Sequence, residues 1–378
     1  MDDNPNAYII EDNKIIITSG LIKYTPEPEA LIGVIAHEIG HIENFHLTKR
    51  KMKINQIKIL DQVTTLATIG SAIISNSPDL LIKSNLATKS NIQNYYYSYS
   101  KDQEREADLY AIEKLNELKI STKGMMNFIK FLDEKSQKKG ITKENFMFAT
   151  HPNYEDRLKT IINLSNEEYN ELNKSFSENF YFIKGKLFGY TENEVNILKK
   201  YLKGKNLSYG EAIIYSKQGK LLDSLKIINK LIETENNIFL LETKADILYK
   251  YGYTKEAKKF YELSIKKNDK NIHVKKRLFN IDYSKLKKHN INSAVEIYNN
   301  YNSLIFNGFI DINFYHKWQN ISQIINKKDL ELYIDSWIHI LNNDKKNAVL
   351  MLKKVIEISN DSKLILNSNR LIKKINNA

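Results

Sequence analysis

The chain of 378 residues contains no cysteine and only five prolines, and each shortage narrows what the protein can be. The lack of cysteine excludes disulfides, thiolate metal sites and thiol catalysis, so any metal must be held by histidine, aspartate or glutamate. All five prolines lie at or before Pro152. Because proline interrupts helices, the remainder predicts a long helical array, with a domain boundary near residues 155–170.

Long apolar runs are also lacking. The longest candidate for an apolar run, residues 57–82, contains Asp61, Gln62 and Pro78. These polar and helix-breaking residues predict a buried or amphipathic helix and not a membrane span. The opening MDDNPNAYII has neither the basic nor the apolar region of a signal peptide, so none is expected in the chain as it stands. The net charge of +12 comes without a nucleic-acid-binding motif. We therefore expect a lysine-rich solvated surface and no nucleic-acid partner, with peripheral contact to an anionic membrane as an alternative.

Two elements are predicted near the start of the chain. Isoleucine-rich runs in AYIIEDNKIIITSG flank the polar residues 11–13, which predicts a β-hairpin. The segment from Thr25 to Lys53 then keeps apolar residues at helical period. Prolines and acidic residues lie at its start and Lys49 to Lys53 at its end, as the helix dipole favours. We expect one continuous helix across this segment.

The motif HEIGH lies inside that predicted helix. His37 and His41 are four residues apart and therefore share one helical face. This spacing lets two imidazoles bind one zinc ion with Glu38 beside it, although so short a motif also occurs by chance. Unpaired polar groups would be costly in an apolar helix, which favours zinc binding over a structural role. His46 would be turned away from the ligand face of a continuous helix, so we predict that it is structural or a neighbour of a ligand.

A catalytic zinc site needs a third protein ligand, and the candidate lies in YSKDQEREADLYAIEKL. Glu104 and Asp108 are four residues apart on one helical face, whereas Glu106 points the other way. Glu104 can bind the metal, and Asp108 can accept a hydrogen bond from a ligand histidine and fix its tautomer. Taken alone, the segment is more typical of a charged, solvated helix face.

The two stretches together resemble the HtpX-like and BepA-like zinc metallopeptidases, with Glu104 lying 63 residues after His41. That family combines HExxH with a downstream ExxAD. The resemblance implies that Glu104 is the third zinc ligand and that Asp108 is the acid behind a ligand histidine. The segment NAYIIEDNKIIITSGLI is similar to the family's stretch before the helix, but residues 11–13 replace the usual Pro-Gly-Gly. The resemblance covers roughly residues 5 to 165.

A further stretch, ATHPNYEDRL at 149–158, is similar to the closing H-P-x-x-x-x-R motif of the same family. The resemblance implies a role for His151 near the metal, as a regulatory or fourth ligand that occupies the water position in a resting state. The alternative is an ordinary loop histidine before Pro152. We predict that Arg157 forms a structural ion pair and takes no part in catalysis.

The C-terminal half contains a weak internal repeat. Residues 211–232 align with 244–265 at an offset of 33, about the period of helix–turn–helix repeats. In the second copy, small and aromatic residues resemble those of a tetratricopeptide (TPR) repeat, at Ala245, Gly252, Ala257 and Tyr261. The usual proline is replaced by Asp269, and degenerate second helices are predicted at 292–301 and 346–359. The alternative is a helical domain without true repeats.

These patterns predict an α+β, mainly α, fold in three parts. A zincin-like metallopeptidase domain with a small β-hairpin spans 1–165, a helical connector spans 166–204, and an all-α TPR-like domain spans 205–378. The order of a peptidase domain followed by a TPR array is similar to that of the BepA-like periplasmic branch. Members of that branch promote or police assembly of outer-membrane β-barrel proteins. The resemblance implies a protein that is periplasmic or peripheral to a membrane. The leader expected of that branch is not seen in this sequence, so either the chain is a truncated or mature form or the periplasmic location is wrong.

The predicted function is zinc-dependent hydrolysis of peptide bonds in unfolded or misassembled proteins. One zinc ion per chain would be held by His37, His41 and Glu104, with Glu38 as the general base. A sheet edge at 15–18 would bind extended substrates through backbone hydrogen bonds. The alternative is an adaptor of an outer-membrane assembly machine, in which the repeats bind partners and the peptidase domain is latent. Metal storage is disfavoured, because a single three-ligand site is not a storage design.

Overall fold

The computed structural model describes residues 4–10, 13–53, 55–56, 101–138, 151, 154–164, 172–287 and 290–376. The predicted helix at 57–82 lies outside this part of the chain, as do Glu11, Asp12 and Pro152. Among the described helices, none has both the length and the apolar character needed to cross a membrane. The chain divides into two compact units, Met1–Lys217 and Gln218–Ala378. The mainly helical fold with a small β-hairpin is confirmed, and the domain boundaries at 165 and 204 stay a prediction.

The first unit opens with a two-stranded antiparallel sheet. Strands β1 (Ala7–Ile10) and β2 (Lys14–Ile17) pair with Ala7 opposite Ile17, which confirms the predicted hairpin. Helices follow, and their bounds are α1 Ser19–Tyr24, α2 Pro28–Glu43, α3 Lys101–Glu117, α4 Lys123–Lys138, α5 Tyr154–Leu164, α6 Lys174–Thr191, α7 Val195–Leu198 and α8 Gly204–Lys217.

Helices α2 to α5 enclose the core on which the site is built. Its buried apolar residues come from all four helices: Ala36, Ala111, Ile112, Leu115, Met125, Ile129 and Ile161. Helix α3 turns one stripe of small and acidic residues inward: Glu104, Ala107, Asp108 and Ala111. Helices α2 and α3 approach closely at Gly40, where a Cβ atom would lie 3.0 Å from both the Cα and the carbonyl oxygen of Ala107. This contact brings HEIGH against the acidic stripe.

The prediction of one continuous helix over 25–53 is wrong, because helix α2 ends at Glu43. Asn44 caps α2, since its side-chain amide donates a hydrogen bond of 2.8 Å to the carbonyl oxygen four residues earlier. Phe45 then adopts a left-handed backbone conformation, with φ at 55°, that bulky side chains rarely take. A new helical stretch runs over 46–53. The break changes where the residues of this stretch, His46 among them, point.

The second unit is helical throughout the described residues. Its elements are α9 Leu221–Thr234, α10 Ile238–Lys250, α11 Thr254–Lys267, α12 Ile272–Tyr283, α13 Ile291–Tyr301, a 3₁₀ helix Asn302–Asn307, α14 Ile312–Ile324, α15 Lys328–Leu341, α16 Lys345–Ile358 and α17 Ser362–Asn376. Aromatic side chains fill its core, and the Phe279 and Trp318 rings stack 4.9 Å apart. Gly219 and Gly252, which the internal repeat aligns, both have positive φ, at 85° and 83°, in the turns before α9 and α11.

Candidate metal centre

Four side chains converge inside the first unit: His37 and His41 from α2, Glu104 from α3, and His151 from the segment before α5. One ligand atom of each lies within 4.8 Å of the others. The Nε2 atoms of His37 and His41 are 3.0 Å apart, and each is 3.5 Å from a carboxylate oxygen of Glu104. His151 Nδ1 lies 3.3 Å from His37 Nε2 and 2.9 Å from Glu104 Oε1. All four residues can therefore bind the same ion.

The geometry and chemistry of this cluster fit zinc. Tetrahedral zinc with ligands at about 2.0–2.1 Å separates neighbouring ligand atoms by about 3.3 Å. The five contacts given above, at 2.9 to 3.5 Å, bracket that value, and all four ligand atoms lie within 4.8 Å of one another. Imidazole nitrogens with one carboxylate oxygen are a usual zinc ligand set. Oε2 of Glu38 is also buried with no hydrogen-bond partner in the described part of the chain, a cost that a functional site would explain.

Asp108 and Arg157 lie behind the cluster. Oδ1 of Asp108 is 2.8 Å from Nδ1 of His37, so the carboxylate can fix that imidazole with Nε2 free for a metal. Arg157 donates two hydrogen bonds of 2.9 Å to Asp108, and its Nη1 lies 3.2 Å from Oε2 of Glu104. All of these side chains are buried. One guanidinium therefore forms ion pairs with two buried carboxylates.

His46 lies closer to the site than its position in a continuous helix would allow. Its Nδ1 is 2.8 Å from Nδ1 of His41, and its Nε2 is 2.8 Å from Oε2 of Glu106. The Glu106 side chain is half exposed, whereas Glu104 is buried, and Glu106 reaches His46 as well as solvent. Sequence reasoning missed this contact because it depends on the break at Phe45. The available signal was Asn44, a residue type suited to helix ends.

The carboxylates of the site are held in their charged form. Burial opposes ionisation of Glu104, but the charges of His151 and Arg157 hold its pKa well below its usual value. Burial also opposes ionisation of Asp108, and the charge of Arg157 outweighs it and lowers the pKa. The pKa of Glu38 is lowered by His151 against the same opposing effect of burial. An ionised carboxylate is the form that binds a metal or accepts a proton.

The pKa values of His41 and His151 are shifted in opposite directions. Burial lowers the pKa of His41 to about 3, so this imidazole is neutral and can offer a lone pair. Burial also disfavours the charged form of His151, but the carboxylates of Glu104 and Glu38 raise its pKa to about 10. A metal ion would compete with the proton for the same nitrogen, because metal binding requires the neutral imidazole.

A mainly apolar cavity adjoins Glu38 and is also lined by His37 and His151. Its apolar lining includes Ala7, Leu21, Val34, Met125, Phe128 and Ile129. Asn6 and Ala7, the first residue of β1, line this cavity, whereas the sequence predicted a role for the strand at 15–18. The site therefore has an apolar recess and a strand beside its glutamate.

Two histidines one helical turn apart, a glutamate between them, and a second glutamate from a neighbouring helix define a metallopeptidase site of the HExxH class. Residues 1–165 match the model of peptidase family M48, so this part of the chain is similar to that family. The predicted metallopeptidase class is thereby confirmed.

The chain is also similar to curated relatives named beta-barrel assembly-enhancing protease. The protein of Yersinia pestis is 26% identical over 286 residues, which cover 72% of this chain and 57% of that protein. The protein of Escherichia coli K12 is 25% identical over 258 residues, which cover 65% of this chain and 52% of that protein. The chain thus spans about half the length of the curated relatives it matches. These similarities support the predicted resemblance to the BepA-like branch.

Proposed function

We propose that this chain is a zinc-dependent endopeptidase that hydrolyses unfolded or misassembled proteins. The convergence of His37, His41 and Glu104 at zinc-ligand spacing, with the buried carboxylate of Glu38 beside them, carries the proposal. These three residues would hold one zinc ion per chain. When bound, zinc supplies a Lewis acid that polarises a peptide carbonyl and makes water more acidic.

The side chains around the ion have separate tasks. Glu38 takes a proton from the attacking water and delivers it to the leaving amine, since its Oε2 has no competing hydrogen-bond partner in the described part of the chain. Asp108 holds His37 in the tautomer that offers Nε2. Arg157 keeps Asp108 and Glu104 ionised and in place.

The surroundings of Glu38 favour extended, apolar segments as substrates. An extended chain can add to the edge of β1 by backbone hydrogen bonds, and folded proteins rarely expose such segments. The cavity lined by Val34, Phe128 and Ile129 would accept an apolar side chain next to the scissile bond. Cleavage sites confined to ordered regions of folded proteins would contradict this assignment.

Zinc removal gives the direct test of the proposed function. We expect the purified protein to bind one zinc ion and to cleave an unfolded model protein such as β-casein. A chelator should abolish cleavage, and stoichiometric zinc should restore it. Glu104→Ala should lose most zinc affinity, whereas the exposed Glu113→Ala on the same helix should match wild type. Cleavage that persists in the metal-free protein would exclude the mechanism.

His151 gives a second prediction. Its Nδ1 lies among the metal ligands and its Nε2 lies 3.3 Å from Oε1 of Glu38, so it covers both the fourth metal position and the base. We expect His151→Ala to raise casein cleavage, by about tenfold if the covered form holds nine-tenths of the molecules. His316→Ala, an exposed change in the second unit, is the control. Unchanged or lost activity would count against a covering role.

We further propose that the chain acts in quality control of outer-membrane proteins, in the periplasm or peripheral to a membrane. The name of the curated relatives supports this. The second unit would be a TPR-like partner-binding domain, since Ala245, Ala257 and Tyr261 are buried and Gly252 makes the left-handed turn between helices. An adaptor with a latent peptidase domain is the second candidate, favoured by the position of His151 over Glu38.

A further inference from the structure

The Nδ1 atoms of the two histidines of HEIGH have different hydrogen-bond partners. Nδ1 of His37 meets a carboxylate directly, at 2.8 Å from Asp108. Nδ1 of His41 lies 2.8 Å from Nδ1 of another imidazole, His46, whose Nε2 lies 2.8 Å from Oε2 of Glu106. His41 and His46 are fully buried, whereas the Glu106 side chain is half exposed. The row of three side chains therefore runs from the protein surface to the metal site.

Proton counting along this row gives each imidazole one tautomer. A carboxylate only accepts, so the contact with Glu106 requires a hydrogen on Nε2 of His46. In a neutral imidazole the other nitrogen, Nδ1 of His46, is then an acceptor. The hydrogen between the two rings must therefore sit on Nδ1 of His41. That leaves the lone pair of His41 on Nε2, the atom that lies 3.0 Å from His37 Nε2 inside the cluster.

We propose that Glu106 and His46 are positioning residues for the metal centre, which set the tautomer and ring orientation of His41 through two successive hydrogen bonds. The inference rests on the proposed zinc site and adds two residues to it. Asp108 does the same for His37 in one step, so the two ligands receive equivalent support from different acceptors. Loss of such outer partners typically weakens metal binding about 10–100-fold.

The break after α2 supports a dedicated role for His46. Phe45 holds φ at 55° although its side chain is 66% exposed, so burial of that side chain does not account for the unfavourable conformation. The left-handed conformation of Phe45 redirects the backbone so that His46 faces His41. A continuous helix would separate the two imidazoles, since residues five apart do not share a helical face.

Zinc affinity of the full-length protein, measured by competition with a chromophoric chelator, tests the proposal. We expect Glu106→Ala to weaken zinc binding about tenfold and Glu106→Gln to restore most of it, because the amide oxygen still accepts from His46. His46→Phe keeps the ring volume but removes the acceptor, and should weaken binding at least as much. Glu113→Ala, an exposed change on the same helix, should bind zinc as wild type does.

A second readout needs neither zinc nor activity. In the metal-free protein with ¹⁵N-labelled histidine, His41 should show the Nδ1–H tautomer in wild type and Glu106→Gln, and a mixture in Glu106→Ala. Wild-type affinity in Glu106→Ala, or an Nε2–H tautomer of His41 in wild type, would overturn the inference. A wild-type protein that binds no zinc would overturn the proposed function as well, whereas tight binding that ignores Glu106 would overturn only the positioning role.

Discussion

Replacing Glu38 with glutamine is expected to lower cleavage of an unfolded protein by about 10²–10⁴-fold while one zinc ion stays bound. Glutamine matches glutamate in shape but cannot take a proton from water. Glu38 is 1% exposed, and its carboxylate is not among the four groups that can hold the metal. The change should therefore remove the general base and leave the ligand set intact. Parallel assays of casein cleavage and zinc content separate the two effects.

The matched control is Glu43→Gln, at the exposed end of the same helix, which should cleave as wild type does. Equal cleavage by Glu38→Gln and wild type would rule out Glu38 as the base. If neither protein cuts while each binds one zinc ion, the site is latent. That result would favour the adaptor function, and His151→Ala would be the variant to assay next.

Replacing Arg157 with methionine is expected to destabilise the first unit by about 3–5 kcal/mol, which corresponds to a fall in melting temperature of about 10 °C. The residue is 7% exposed and forms ion pairs with the carboxylates of Asp108 and Glu104. Methionine fills similar space but leaves both buried carboxylates without their guanidinium partner. Thermal unfolding by circular dichroism, with excess chelator in every sample, measures the protein without the contribution of bound metal.

The pH dependence of the Arg157→Met effect follows from the lowered pKa values of Asp108 and Glu104. A carboxyl with a lowered pKa in the folded state contributes stability above its unfolded pKa of about 4, and that contribution is lost as pH falls through the folded pKa. The deficit of Arg157→Met should therefore be full at pH 7 and shrink below about pH 4. A deficit that grows on acidification would contradict the assigned ion pairs.

Two internal controls accompany the Arg157 experiment. Lys159→Met removes an exposed ion pair with Glu155 on the same helix and should not change stability measurably. Both tryptophans, Trp318 and Trp337, lie in the second unit. Their fluorescence therefore follows the second unit, and a variant that acts only on the first unit should leave that signal's midpoint unchanged.

The parts of the site that follow helical spacing were predictable from sequence. Residues four apart on one helix share a face, so the pairing of His37 with His41 and of Glu104 with Asp108 needed no tertiary information. The motifs then matched a family whose ligands converge in space. The hairpin and the repeat were also visible in the sequence, because isoleucine-rich runs flank a polar turn and two glycines recur at an offset of 33.

The contact between His46 and Glu106 could not be predicted, because it depends on one backbone conformation. Glycine or asparagine usually marks a left-handed position, but here the position holds Phe45. Glu106 also looked like an ordinary member of a solvated face, since its partner lies 60 residues earlier in the chain. Neither the helix crossing nor the strand beside the cavity is encoded in a local pattern, and both required the structure.

Position 40, between the two ligand histidines, has a limit on side-chain volume that the usual notation of the motif does not show. HExxH leaves the two middle positions open, yet at Gly40 the backbone of Ala107 occupies the space where any larger side chain would begin. A methyl group there would push α2 and α3 apart by a few tenths of an ångström, at the level where Glu104 meets the histidines. Position 40 should therefore hold glycine among functional sequences whatever side chain stands at position 107, because the limiting atoms belong to the backbone, although Gly40 is not among the groups that can hold the metal.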